Sequence, residues 1–280
     1  RWNGDLASIV SNPNLPPPES SHAYIGLAGA TTTGYDLDRE AFIGTTSGYH
    51  DPEAVVRGKC SNSQAYSDNA CGGLETLIEL EAGETKEFCV VLGVGSVDEG
   101  REAVRSCVSS IGVQTMLDEV RDHWHAKLDA LSVKTPDAAF DSMANVWGAY
   151  NALVTFNWSR AASLVYNGER DGLGYRDTVQ DMLGAVSMIP GEVRERLTLM
   201  ISGQLACGGA MPVVKPFDHN PGEEAGPPEE EFRSDDCLWL FNAVPAYVAE
   251  TGDLGYYDLQ VPYADQGTAT VLGHLRRALE

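Results

Sequence analysis

Two adjacent aspartates, Asp235 and Asp236, stand in the run "EEEFRSDDCLWLFNAVPAYVAETGD" (residues 229–253), between an acidic loop and an apolar helical pattern. Two chemistries suit such a pair. A carboxylate at a helix mouth accepts backbone N–H groups and complements the positive end of the helix dipole. A carboxyl group beside a second negative charge is instead a candidate proton donor, because like charge and partial burial both raise its pKa. The local residues, Ser234 included, leave both readings open. A second polar cluster lies in "NGERDGLGYRD", which offers Arg170, Arg176 and Asp177 around a Gly-rich turn. Arginine and aspartate there can grip sugar hydroxyls through charge-assisted hydrogen bonds, and a loop-stabilising ion pair is the competing reading. Gln180 and Asp181 follow, either supporting this cluster or capping the next helix.

The elements that must position these side chains change character along the chain. Residues 1–113 carry strand patterns, "AYIGLAG", "EAFIG", "LETLIELEAG" and "TKEFCVVLGVGS", punctuated by Gly, Asn, Asp and Pro. "LEAGETKEF" reads as a hairpin turning near Ala82-Gly83. Many short strands without intervening helices predict a β-sandwich. From Asp98 the apolar spacing becomes helical, with Met116, Leu117, Val120, Trp124 and Leu128 on one stretch, and residues 114–135 are expected to form a helical linker. Beyond it, residues 136–280 predict five helices. The first covers "DAAFDSMANVWGAYNALVTFNWS", the second "DTVQDMLGAVSMIP" up to Pro190, and the third "GEVRERLTLMISGQLA". "DDCLWLFNAVPAYVAETG", with Gly252 as C-cap, is the fourth and "GTATVLGHLRRALE" the fifth. Long Gly-rich loops between them are where a site would be built.

Composition narrows the ligand. The chain has 280 residues, 43% of them hydrophobic, so it can bury a real core in one large or two ordinary domains. With 41 acidic against 19 basic residues, a formal charge of -22 disfavours nucleic acid and anionic membranes and suits a soluble protein handling neutral ligands. No apolar run approaches the roughly 18 residues of a membrane span, and no signal-peptide pattern opens the chain. Six cysteines without CxxC spacing read as reduced thiols of a cytoplasmic protein, with a Cys60–Cys71 bridge the less favoured alternative. His123 and His125, two residues apart, do not share a helix face, so no metal site is expected there. Trp147, Trp158 and Trp239 could stack on sugar rings, although such residues at helical spacing are more often core. His22 reads as structural, whereas Lys215, Asp218 and His219 sit on a long loop that could line a ligand. The chain lacks a starting methionine and a final helix stop, and so reads as an internal piece of a longer protein.

The runs "NVWGAYNALVTFNWSRAAS", "GLGYRDTVQDMLGAVSMIP", "RERLTLMISGQ", "RSDDCLWLFNAVPAYVAETGD" and "VPYADQGTATVLGHL" resemble the inverting disaccharide phosphorylases of glycoside hydrolase family 94. So do "ESSHAYIGLAGATTTGYDLDREAFIG" and "DNACGGL" in the first half, and the likeness covers nearly the whole chain. The resemblance implies a multidomain β + α protein: an N-terminal β-sandwich, a helical linker and part of an (α/α)6 barrel. It implies phosphorolysis of a β-glucoside of the cellobiose or cellodextrin type to α-glucose 1-phosphate and a shortened sugar. Inorganic phosphate is then a co-substrate, no cofactor or metal is needed, and the full-length protein is a homodimer. Asp235 maps onto the general acid, with Asp236 as its supporting neighbour and Arg176 and Asp177 at the glycone sugar. The family's phosphate-binding residues map beyond Glu280, so the fragment alone is expected to be inactive. Two departures bear on the substrate. Cellobiose-type members carry Arg where Asp171 stands, the charge here moving to Arg170, and some members of the family carry an aromatic residue at the position of Arg233, which faces the acceptor sugar. Other β-linked substrates (laminaribiose, chitobiose, β-1,2-glucan), an inverting hydrolase and a non-catalytic carbohydrate-binding protein are the alternatives.

Overall fold

The computed structural model describes residues 2–10, 22–66, 69–160, 172–228 and 232–280. The chain divides into two compact units, Arg1–Arg121 and Asp122–Glu280.

The first unit holds two small antiparallel sheets. One has the order β1 (Leu6–Val10), β2 (His22–Ala28), β5 (Cys89–Gly95), and the other pairs β3 (Thr32–Asp38) with β4 (Ala70–Thr76). They approach closely where Gly72 of β4 faces Ile25 of β2, a place where any Cβ would press on the Ile25 side chain. Two short helices interrupt the strands, α1 (Arg39–Ile43) and α2 (Glu53–Arg57), so the expectation of strands alone fails here. "EAFIG" falls largely within α1, because the Asp38 carboxylate accepts the N–H groups of Glu40 and Ala41 and starts a helical turn. The turn at Ala82-Gly83 is present, with Gly83 at φ +82° and Glu84 N–H donating to the Glu81 carbonyl. Its flanks do not pair as a hairpin: β4 bonds to β3 and β5 to β2, so the turn carries the chain from one sheet to the other. Helix α3 (Val97–Ser106) opens with a Ser96–Glu99 capping box and lies on the first sheet, where Gly100 lets Leu6 and Tyr24 approach its backbone. It therefore belongs to the strand unit. The division between the units falls within α4 (Ser110–Leu128).

The second unit is helical. A continuous helical run comprises α5 (Ala138–Ser142), a π-helical stretch (Met143–Gly148) and α6 (Ala149–Trp158). After it come α7 (Tyr175–Ala185), α8 (Pro190–Ser202), α9 (Leu240–Thr251) and α10 (Val271–Arg277). Their buried residues recur every three or four positions: Tyr175, Val179, Met182 and Ala185 on α7, Val193, Leu197 and Ile201 on α8, Leu240, Val244 and Tyr247 on α9. Those faces, with Leu153 and Phe156 of α6, close one apolar core. Each large side chain fully removed from water there stabilises the unit by about 1.5–3 kcal/mol. Pro190 stands at the first position of α8 while α7 has already ended at Ala185, and Gly252 caps α9 at φ +74°. Helix α10 ends at Arg277, three residues earlier than the sequence pattern suggests. Only short antiparallel ribbons accompany these helices among the described residues: β6 (Leu173–Gly174) with β7 (Val213–Val214), and β8 (Gln260–Pro262) with β9 (Thr268–Thr270). No helix among the described residues is long and apolar enough to cross a membrane, and all six cysteines are free.

Candidate active site

The β6–β7 ribbon and the first turn of α7 place Arg176. Leu173 and Gly174 pair with Val214 and Val213, and Tyr175 N–H donates to the Pro212 carbonyl. Gly172 precedes them at φ +116°, and a Cβ there would collide with Val213 Cγ1, so both backbone and packing require glycine. Tyr175 is fully buried, which turns the next residue, Arg176, outward.

Asp235 is held from the other side by the loop that follows α8. His219 is buried in that loop, its ring between Ser202 Oγ (2.8 Å) and Glu224 Oε1 (2.6 Å). The Ala264 carbonyl accepts from Gly222 and Glu224, and Asp265 accepts from Ala206 N–H. Phe232 stacks its ring against Gly209, whose carbonyl accepts the Cys237 thiol at 3.6 Å. Between these anchors Asp235 and Asp236 occupy a turn that runs into a 3-10 helix, Cys237–Trp239, and then α9.

The two carboxylates have opposite surroundings. Asp235 is half-exposed, and Arg176 Nη1 donates to its Oδ1 at 3.1 Å and its Oδ2 at 3.2 Å. Trp239 Nε1–H adds a third donor, to Oδ2 at 3.3 Å. The arginine above all, then the indole, holds the Asp235 carboxyl below its ordinary pKa. Asp236 is 2% exposed, and neither of its oxygens has a hydrogen-bond partner. Burial pushes its carboxyl up to about 6, the charges of Asp235 and Asp177 adding to the rise and those of Arg233 and Arg176 opposing it. Neither aspartate caps the helix, since no side-chain bond to the 3-10 N-terminus forms. The capping reading therefore fails for both. One further expectation is corrected: the raised carboxyl is Asp236 rather than Asp235, because burial outweighs proximity.

Asp177 lies on the same turn of α7 as Arg176 but faces Arg160, whose guanidinium reaches Asp177 Oδ1 at 3.5 Å and the Asp177 carbonyl at 3.1 Å. The same guanidinium meets Gln180 Oε1 at 3.3 Å and pairs with the largely buried Asp181. Burial raises the Asp181 carboxyl, and Arg160 opposes the rise. Gln180 and Asp181 thus hold Arg160, a residue the sequence pattern did not single out. Arg233 is exposed, two residues before Asp235. Arg170 and Asp171 lie outside the described residues, as does the His22 side chain. Of the three tryptophans, Trp147 and Trp158 are exposed rather than core, and Trp239 is the one in the site. Lys215 and Asp218 are exposed on their loop, and His219 serves as its buried pin. The arrangement brings together a half-exposed carboxylate, two donors fixing its orientation and a buried second carboxyl. It is an acid–base set whose half-exposed member, Asp235, could carry one proton to a ligand once Arg176 no longer holds it as the anion.

Comparison with known proteins agrees with this architecture. Residues 4–111 match the glycosyl hydrolase 94 supersandwich domain and residues 123–280 the glycosyl hydrolase 94 superfamily catalytic domain. The chain is 35% identical over 265 residues to an N,N'-diacetylchitobiose phosphorylase of Vibrio furnissii, covering 88% of this chain and 33% of that protein. It is 33% identical over 264 residues to a protein of the same name from Vibrio proteolyticus, with the same coverage of each chain. A solabiose phosphorylase of Paenibacillus borealis is 28% identical over 257 residues, 91% of this chain and 31% of that protein. The chain spans about one third of the length of these curated relatives. With its catalytic-domain match extending over more than half of its residues, the chain belongs to the glycosyl hydrolase 94 superfamily.

Proposed function

We propose that the protein containing this chain is an inverting phosphorylase of a β-linked disaccharide, with Asp235 as general acid. The observation that carries the reading is the Asp235 carboxylate itself, held half-exposed between Arg176 and Trp239 beside the buried Asp236. Phosphorolysis needs one carboxyl group where inverting hydrolysis needs two, because phosphate arrives as an anionic nucleophile. A phosphate oxygen bonds to the anomeric carbon as the glycosidic C–O bond breaks, and the Asp235 proton passes to the leaving oxygen. Hydrogen phosphate sheds a proton on esterification, which balances the one given to the leaving oxygen, so the reaction needs no cofactor and runs in both directions. Arg170, Arg176, Asp177 and Arg233 contact the sugars, and Asp236 supports the acid through its charge. The catalytic helices form part of an (α/α)6 barrel in a cytoplasmic homodimer.

For the substrate, two features favour an N,N'-diacetylchitobiose-type disaccharide over cellobiose or a cellodextrin. The Arg170-Asp171 order departs from the cellobiose-type pattern, and the two relatives above 30% identity are named N,N'-diacetylchitobiose phosphorylases. The test is sugar release by the full-length protein with and without phosphate, over diacetylchitobiose, cellobiose, cellotriose and laminaribiose. Release that requires phosphate and is fastest with diacetylchitobiose is expected. Equal release without phosphate would make the protein a hydrolase and end this reading, whereas phosphate-dependent release fastest with cellobiose would overturn only the substrate.

A further inference from the structure

An acid that must give up a proton is here surrounded by donors. Arg176 Nη1 lies within 3.2 Å of both oxygens of Asp235, and Trp239 Nε1–H points at one of them. A carboxylate accepting that many hydrogen bonds is stabilised as the anion, and an arginine at contact distance adds its charge. In this arrangement Asp235 is held as the anion, without a proton to give to a leaving oxygen. The contact is nonetheless easy to break. Both partners are about 40% exposed, 39% for Arg176 and 41% for Asp235, so water or a ligand hydroxyl can replace either side. A second acceptor is at hand, since Asp236 feels the charge of Arg176 and has no partner on either oxygen. The charged groups around the two aspartates are Arg176 and Asp177 from α7 and Arg233 from the preceding loop.

We propose that Arg176 is a positioning residue acting as a substrate-displaced clamp: it holds Asp235 as a carboxylate in the empty site and leaves it when the disaccharide binds, freeing Asp235 to take up and deliver a proton. This rests on Asp235 being the acid. Glycosidic oxygen and ring hydroxyls entering the site compete for the Arg176 N–H groups, and their arrival also excludes water from Asp235. Both effects favour the protonated carboxyl only once a substrate is in place. The empty site therefore keeps no standing acid. Asp235 takes a proton from solvent as the disaccharide binds and passes it to the leaving oxygen. The proton shed by hydrogen phosphate returns to solvent, and the clamp closes on the carboxylate again.

The pH dependence of the full-length protein tests this. A general acid loses activity as pH rises through its pKa, in the free enzyme for kcat/KM and in the complex for kcat. At saturating phosphate, the high-pH limb of kcat should lie at least about one pH unit above that of kcat/KM, the usual size of a single arginine's effect on an aspartate. In Arg176→Gln the limb of kcat/KM should rise toward that of kcat and the gap should close. Arg176→Lys, which keeps a cation, should retain most of it. A merely structural role for Arg176 would lower activity without moving one limb relative to the other. Coincident limbs in the unsubstituted protein, or an Arg176→Gln variant whose two limbs shift together, would overturn the clamp. Coincident limbs in the unsubstituted protein overturn the clamp even if the variants fail to fold. Failure of the underlying assignment looks different: Asp235→Asn would then retain disaccharide turnover.

Discussion

Trp239 Nε1–H donates to Asp235 Oδ2 at 3.3 Å, the same oxygen that Arg176 Nη1 reaches at 3.2 Å. Trp239 closes the 3-10 helix that follows the Asp235 turn, and its indole reaches back over that short helix to the carboxylate. That bond fixes which way the carboxyl group points, whatever Arg176 does. Trp239→Phe keeps the ring and removes the donor. Turnover of the disaccharide by the full-length protein should fall about 3–10-fold with KM little changed, the worth of one partly exposed hydrogen bond. A rise in KM at unchanged kcat would show instead that the indole only binds sugar.

Asp235→Asn preserves size and keeps one oxygen able to accept from Arg176 and Trp239, but it loses the ion pair and has no transferable proton. Disaccharide turnover should drop about 10²–10⁴-fold, the usual contribution of general acid catalysis. A glycosyl fluoride, whose leaving group needs no proton, should be affected far less. Near-normal turnover of the disaccharide by a folded Asp235→Asn protein would remove Asp235 from the mechanism. The leaving-group-dependent loss appearing in Asp236→Asn would exchange the two roles.

How far the sequence reaches depends on the range of the interaction. The helices of the second unit are legible because a three-to-four-residue apolar spacing is a local property, as Val193, Leu197 and Ile201 illustrate. The Gly252 cap is legible for the same reason. Strand pairing is not local: the Gly83 turn is visible in the sequence, yet its two flanks bond to partners tens of residues away. The Arg39–Ile43 helix inverts the strand reading of "EAFIG", because one capping carboxylate on Asp38 outweighs the β preference of Phe and Ile. In the site, the Asp235-Asp236 pair is plain, but which member is buried depends on how a turn faces the core. Arg160 escapes notice because its partners, Asp177, Gln180 and Asp181, lie 17 to 21 residues away and meet it only in the folded unit.

The buried carboxyl of Asp236 should be visible in stability as well as in catalysis. Its pKa is raised to about 6 in the folded chain, from an ordinary value of 3.8, and both oxygens lack partners. The folded state therefore binds more protons than the unfolded state between those two values. By linkage, the favourable contribution of the protonated form is complete below about pH 4 and is lost as pH rises through about 6. Above that, Asp236 remains as a buried anion that destabilises the fold. Asp236→Asn removes the charge at almost constant shape. The full-length protein carrying it should melt a few degrees higher than the unsubstituted protein at pH 7.5, corresponding to about 1–3 kcal/mol. At pH 4 the two should melt together. Thermal unfolding from pH 4 to 8 measures both limits. A variant less stable than the unsubstituted protein at pH 7.5 would mean that the Asp236 anion is stabilised in the fold, and its part in tuning the site would then rest on hydrogen bonding instead of charge.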